Sequence, residues 1–136
     1  MYKKVMLVDD SDLDLFISQT FIKKTGFADV VLIQKSAEAA LEYLRRTTNS
    51  IFDLPDIIFL DINMPGMSGF DFLESFGKLN TAIKAKCQIV MLSSSVNIND
   101  IQRAEANKYV NRYVEKPLDA LKLFAIRHDS NALVAA

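Results

Sequence analysis

Five positions carry residue types suited to phosphoryl or metal chemistry: the pair Asp9-Asp10, then Asp61, Ser93 and Lys116. Each stands at or near the end of a strand-like run, largely apolar in the first three cases. Val5-Met6-Leu7-Val8 leads into Asp9-Asp10, Ile57-Ile58-Phe59-Leu60 into Asp61, Cys87 to Leu92 into Ser93, and Arg112 to Val114 towards Lys116-Pro117. Unalternating runs of this kind fit strands covered on both faces. The exits of such strands are where open α/β sheets place their ligands. Neighbouring strands lie about 4.8 Å apart, so Asp9, Asp10 and Asp61 can converge on a single ion.

Three carboxylates held together repel one another, and without a cation at least one has its pKa raised. A divalent cation reverses this and keeps all of them ionised. An all-oxygen set selects a hard ion, and Mg²⁺ in particular prefers one or two carboxylates, waters and a phosphate over a complete protein cage. Lys116 adds a point charge and Ser93 a hydroxyl, both able to bind phosphoryl oxygens. With the oxygens so held, one carboxylate can attack in line and become an aspartyl phosphate. Asp61 stands alone at its strand end, which makes it the nucleophile. Asp9 and Asp10 are then the metal-binding pair.

The elements that must position these residues follow from periodicity. Ser11, with Asp14 three residues on, starts a helix closed by Gly26, with Leu13, Phe16, Ile17 and Phe21 as its inward stripe. Val30 to Ile33 makes the second strand, ending in Gln34-Lys35. Ser36 opens a helix that faces Ala37, Ala40, Leu41 and Leu44 inward. Thr47 to Pro55 reads as a polar loop. After Asp61, Pro65, Gly66 and Gly69 impose a tight loop before a helix capped by Ser68 and Asp71, with Phe70, Leu73 and Phe76 inward. Asn80 to Lys86 is lysine-rich and expected to be exposed, like Lys23 and Lys24. A helix from Asn99 has only Ile98, Ile101 and Ala104 to bury, so low stability and mobility are expected of it. Leu118, Leu121, Phe124 and Ala125 pattern the last helix, and His128 to Ala136 form a tail without clear signal.

Strands alternating with helices specify a flavodoxin-like α/β three-layer sandwich: a five-stranded parallel sheet in the order 2-1-3-4-5, flanked by five helices. That order places the chemically quiet second strand at an edge, away from the crevice between the first and third.

At 136 residues the chain is one domain. Its net charge of -1 argues against a nucleic-acid surface. No run approaches the roughly 18 apolar residues of a membrane span, and no signal-peptide core follows Met1, so a cytoplasmic protein is expected. Cys87 is the one cysteine and His128 the one histidine, too few for a disulfide or a Cys/His zinc site.

The set Asp9-Asp10, Asp61 followed by Met64-Pro65-Gly66, Ser93 and Lys116-Pro117 resembles the motif set of the response-regulator receiver domain of two-component signalling. The likeness extends from about residue 4 to about residue 127, in a form similar to the single-domain chemotaxis regulators. It implies Asp61 as acceptor of a phosphoryl group from a sensor histidine kinase or a histidine phosphotransfer protein. It also implies Mg²⁺ held by Asp9, Asp10, Asp61 and the backbone carbonyl of Asn63, with Lys116 and Ser93 on the phosphoryl oxygens and Tyr113 as an aromatic switch. A cis Lys116-Pro117 bond is expected from the same likeness. Such a protein catalyses its own phosphorylation and dephosphorylation but is primarily a signalling switch. With fewer than 20 residues after Leu118, the output is expected to pass by contact with a downstream protein.

Taken singly, each acid has an ordinary explanation as a helix cap or loop residue; their coincidence with Lys116 is what argues for chemistry. Three other readings are weighed. A haloacid-dehalogenase-like phosphatase would place a second acid two residues after the nucleophile, where this chain has Asn63. An FMN binder would meet repulsion from Asp9-Asp10. A receiver-shaped interaction module without phosphoryl turnover would have little use for intact acids.

Overall fold

The computed structural model describes residues 1–47 and 50–135, with side chains as far as His128. Thr48 and Asn49 of the expected polar loop, and Ala136, lie outside the described residues. Strand β1 (Tyr2–Val8) is followed by α1 (Asp12–Lys24), β2 (Ala28–Gln34), α2 (Ala37–Arg46), a 3₁₀ turn at Ile51–Asp53, β3 (Ile57–Leu60) and α3 (Gly69–Phe76). Then come α4 (Thr81–Lys86), β4 (Gln88–Ser93), α5 (Ile98–Ala106), β5 (Val110–Glu115) and α6 (Ala120–Ala135). All strands run parallel in the order β2-β1-β3-β4-β5.

Both faces of the central strands β1, β3 and β4 are buried, as the unalternating runs require, while the edge strands β2 and β5 are partly exposed. Val5, Leu7, Ile57, Phe59, Val90 and Leu92 pack with Leu15, Ile22, Phe27, Leu123 and Ile126 beneath α1 and α6. Met6, Val8, Ile58, Leu60, Ile89 and Met91 pack on the other side with residues of α2 to α5. Each fully buried Leu, Ile or Phe contributes about 1.5 to 3 kcal/mol, so the central strands are the firmest part of the molecule. Helix α5 buries only Ala104. That matches the thin apolar stripe of its sequence, and polar and cation–ring contacts add to it: Asp100 accepts from the Ser95 hydroxyl at 2.7 Å and the Arg103 guanidinium lies 4.1 Å from the Phe70 ring centre.

The expected stripes of two helices are corrected. On α1 the buried residues are Leu15, Ser18 and Ile22, whereas Leu13 and Phe16 are exposed. The inner face runs Asp14, Ser18, Ile22 at four-residue steps, and its polar members disguise it as an outer face. On α6 Leu123 and Ile126 are buried, while Leu121 and Phe124 face outward and Phe124 packs on the His128 ring. That helix also continues to Ala135, through most of the stretch read as a tail.

The lysine-rich segment adds a sixth helix, α4, capped by Asn80 and anchored by buried Ile83. Two of its lysines are engaged. Lys86 pairs with Asp56 at the start of β3, and Lys84 donates to the Gly77 carbonyl at 3.0 Å. The side-chain caps at Ser11, Ser36 and Ser68 form, but the reciprocal box is complete only at Ser68 and Asp71: the Ser11 amide donates to Asp9 instead of Asp14. Gly26 follows the Thr25 cap of α1 with a φ of 66°, a conformation that glycine adopts without cost. Among the described residues no helix is long and apolar enough to cross a membrane.

Candidate functional site

Parallel register delivers the site. Val8 lies beside Leu60, and Leu60 beside Met91, so the acids that follow β1 and β3 emerge side by side. The Asp61 amide donates to the Val8 carbonyl at 3.0 Å, which continues the ladder one residue past the strand. Ser93 pairs with Glu115, and the Lys116 amide donates to the Ser93 carbonyl at 2.9 Å. Side chains separated by more than a hundred positions thereby share one rim. Gln34, at the end of β2, is on the edge strand, as the strand order requires.

Asp9, Asp10 and Asp61 each offer a carboxylate oxygen, all within 4.8 Å of one another. Asp9 and Asp61 are buried, each 6% exposed, while Asp10 is open to solvent. Asp9 Oδ1 accepts from the Ser11 amide at 2.9 Å, and Asp61 Oδ1 from the Ile62 amide at 2.9 Å. The Lys116 ammonium lies 2.7 Å from Asp9 Oδ2, 2.9 Å from Asp14 Oδ2 and 3.6 Å from Asp61 Oδ2. The Lys116-Pro117 bond is cis, as expected.

Burial pushes the Asp61 carboxyl up to about 6; the Asp9 charge adds to this and Lys116 opposes it. For Lys116, burial lowers the pKa, but hydrogen bonds to Asp9 and Asp14 and the attraction of Asp61 outweigh it, and the net shift is upward. Four carboxylates thus meet one ammonium, an excess of three negative charges (4 − 1) when all are ionised. The donors are all hard oxygens and their charge is under-compensated, so the residues fit a small divalent cation. No second group of metal-capable side chains occurs among the described residues.

Ser93 is fully buried, and its Oγ accepts from the Ser95 amide at 3.1 Å. Half-buried Tyr113 donates its hydroxyl to the Ser95 carbonyl at 2.6 Å. Ser95 itself donates its hydroxyl to Asp100 on α5 at 2.7 Å. Burial raises the Tyr113 phenol above its ordinary range. Asn63 is exposed between buried Ile62 and Met64. Cys87 is buried far from the acids in sequence and fold, and burial pushes its thiol up to about 12, which leaves it unreactive.

Two residues of the site were not singled out for it by sequence. Asp14, read as a capping partner, extends its carboxylate to Lys116. Glu38 on α2 accepts from the Met67 amide at 2.9 Å and so ties down the loop after Asp61. Gly66, in that loop, has a φ of 78° and lies against Glu38. Only the packing of α1 and α2 on the sheet brings either acid there.

Against known proteins, the family model described as response regulator receiver domain matches residues 5–127. The response regulator Rcp1 of Synechocystis is 30% identical over 125 residues, covering 90% of this chain and 82% of that protein. A two-component response regulator from Cytophaga hutchinsonii superposes with a TM-score of 0.87 at 32% identity, covering 96% of this chain and 98% of that one. A response regulator receiver protein from Dyadobacter fermentans gives 0.79 at 37%, covering 92% and 96%. The chain spans only 22% and 19% of two matching protein-glutamate methylesterase/protein-glutamine glutaminases, from Thiobacillus denitrificans and Burkholderia thailandensis.

Proposed function

The chain belongs to the response regulator receiver family, and from that membership we propose that Asp61 takes a phosphoryl group from a phosphohistidine on a kinase or phosphotransfer partner. The observation that carries this reading is the Lys116 ammonium among Asp9, Asp14 and Asp61 beside an under-compensated acid cluster. An Asp61 oxygen attacks phosphorus, the P–N bond to the donor imidazole breaks, and the electron pair remains on the ring. Lys116 pairs with the phosphoryl oxygens, and the Ser93 hydroxyl, at the end of β4, turns away from the Ser95 amide to donate to one of them. Mg²⁺, held by Asp9, Asp10, Asp61 and the Asn63 carbonyl, would neutralise charge on the acids and on the transferred group. The protein then acts as a cytoplasmic switch whose output is a protein contact.

The new group adds about 1.5 to 2 negative charges at one point. Recruiting Ser93 withdraws the acceptor of the Ser95 amide, and Ser95 in turn holds both Tyr113 and Asp100. Those three hydrogen bonds link Ser93 to Tyr113 and to Asp100 on α5, the element expected to rearrange. Tyr113→Ala is expected to leave phosphoryl gain intact while blunting the change in amide hydrogen exchange over α5 on phosphorylation. An unaltered exchange response would count against Tyr113 as part of the switch.

The direct test is incubation with acetyl phosphate, with and without Mg²⁺, followed by intact mass. One phosphoryl addition that needs Mg²⁺ and is lost in Asp61→Asn is expected. No addition in the wild type with any small donor would sink the reading.

A further inference from the structure

We propose that Asp14 is a positioning residue for Asp61: by sharing the Lys116 ammonium it draws that charge away from the acceptor and limits how fast a phosphoryl group is gained there. The inference rests on the phosphoacceptor reading above.

The local wiring explains why Asp14 is available. Asp71, in the equivalent position after its cap, returns its carboxylate to the Ser68 amide and completes a reciprocal box. At α1 the matching amide, Ser11 N, is already taken by Asp9 Oδ1. Ser11 Oγ still accepts from the Asp14 amide at 3.3 Å. The Asp14 carboxylate is thereby left without a capping role. It lies on the inner face of α1, in line with Ser18 and Ile22, and reaches Lys116 instead.

A lysine ammonium has three N–H donors. Two are committed at hydrogen-bond length, to Asp9 at 2.7 Å and Asp14 at 2.9 Å, and Asp61 at 3.6 Å is left with the longest contact. The Lys116 side chain is 9% exposed, so little water intervenes; that of Asp14 is 35% exposed, at the outer edge of the cluster. When acetyl phosphate reacts, an Asp61 oxygen bonds to phosphorus, the donor P–O bond breaks, and acetate leaves with the electron pair. The incoming oxygens are anionic and must win Lys116 from Asp14. Neutralising Asp14 turns a charged acceptor into a weaker neutral one and removes one repelling charge, so both effects favour gain. The same shift tightens Lys116 on the aspartyl phosphate and slows its hydrolysis to Asp61 carboxylate and inorganic phosphate.

The test uses the full chain with acetyl phosphate and Mg²⁺, comparing time courses of phosphoryl gain, and of loss after donor removal, by intact mass. Asp14→Asn and Asp14→Ser are expected to gain faster by about threefold or more, the scale of a partly exposed charge pair. Both should also lose the group more slowly. Asp14→Glu, which keeps the carboxylate, should return the rate towards wild type. Asp12→Asn is the control for charge alone: this acid, on the same turn, is exposed and pairs only with Lys35 at 2.8 Å among the described contacts. It is expected to match the wild type. Rates for both neutral variants within about twofold of a wild type that itself gains phosphate would overturn the proposal. So would equal acceleration in Asp12→Asn. A wild type that gains nothing would instead defeat the phosphoacceptor reading.

Discussion

Without metal, Asp61→Asn is expected to be more stable than the wild type by about 3 kcal/mol near pH 7.5, and the gap should close below about pH 4. The sign follows from the raised carboxyl. Asp61 has a pKa of about 6 in the folded protein against a reference of 3.8. A group raised on folding contributes fully below its unfolded value, and that contribution is lost as pH rises through the folded one. Above about pH 6 the wild type therefore bears the cost of a carboxylate buried beside Asp9, and asparagine does not. The asparagine variant keeps Lys116 paired, since its shortest contacts are to Asp9 and Asp14. Urea unfolding at a series of pH values, in chelator, measures the gap. Added Mg²⁺ should then stabilise the wild type more than the variant, because one of the proposed ligands is gone. A gap independent of pH would show that the Asp61 charge is not the cause.

Gly69→Ala is expected to damage both stability and phosphoryl gain, although Gly69 has an ordinary helical backbone. A Cβ at this position would stand 2.3 Å from the Asp61 carbonyl oxygen, 3.1 Å from its carbonyl carbon and 3.0 Å from Ile62 Cα. These are backbone atoms, so no side chain can move aside. The Gly69 amide also donates to the Ile62 carbonyl at 2.8 Å, pressing the start of α3 against the end of β3. Relief requires either α3 to lift or Asp61 to shift. The expected cost is about 3 kcal/mol in urea unfolding, at the upper end for overpacking. The rate of phosphoryl gain from acetyl phosphate should fall by about tenfold or more, since a displacement near 1 Å has large effects on an in-line attack. Gly26→Ala is the contrast. It strains a positive φ where nothing lies within 4 Å of the added carbon, and should lower stability without altering the rate. A Gly69→Ala protein as stable and as fast as the wild type would show that the contact yields easily.

The central strands were legible because both their faces are buried: Val5 to Val8 and Ile57 to Leu60 are apolar at every position. Helix starts were legible at Ser11, Ser36 and Ser68 because a cap depends on residues within one turn. The inward faces of α1 and α6 were not. Each helix carries apolar residues on two sides, and periodicity cannot tell which side meets the sheet. On α1 it favoured Leu13 and Phe16, because the true inner face holds Asp14 and Ser18. The short helix α4 was hidden by its lysines, whose partners Asp56 and Gly77 come from other segments.

The order of short apolar runs, each ending in a chemically capable residue, by itself determined a parallel α/β sheet and brought Asp9, Asp10, Asp61, Ser93 and Lys116 to one rim. Strand burial and register follow from patterns carried along the chain, and those patterns are local. Tertiary structure alone decided how the charges are shared. The rotation of α1 gave Lys116 to Asp14 as well as to Asp9, and left Asp61 the longest contact of the three. It also set Glu38 on the loop after Asp61 and Gly69 against the Asp61 backbone. Such contacts depend on distances of a few ångströms between elements that meet only when packed, and residue type carries no record of them.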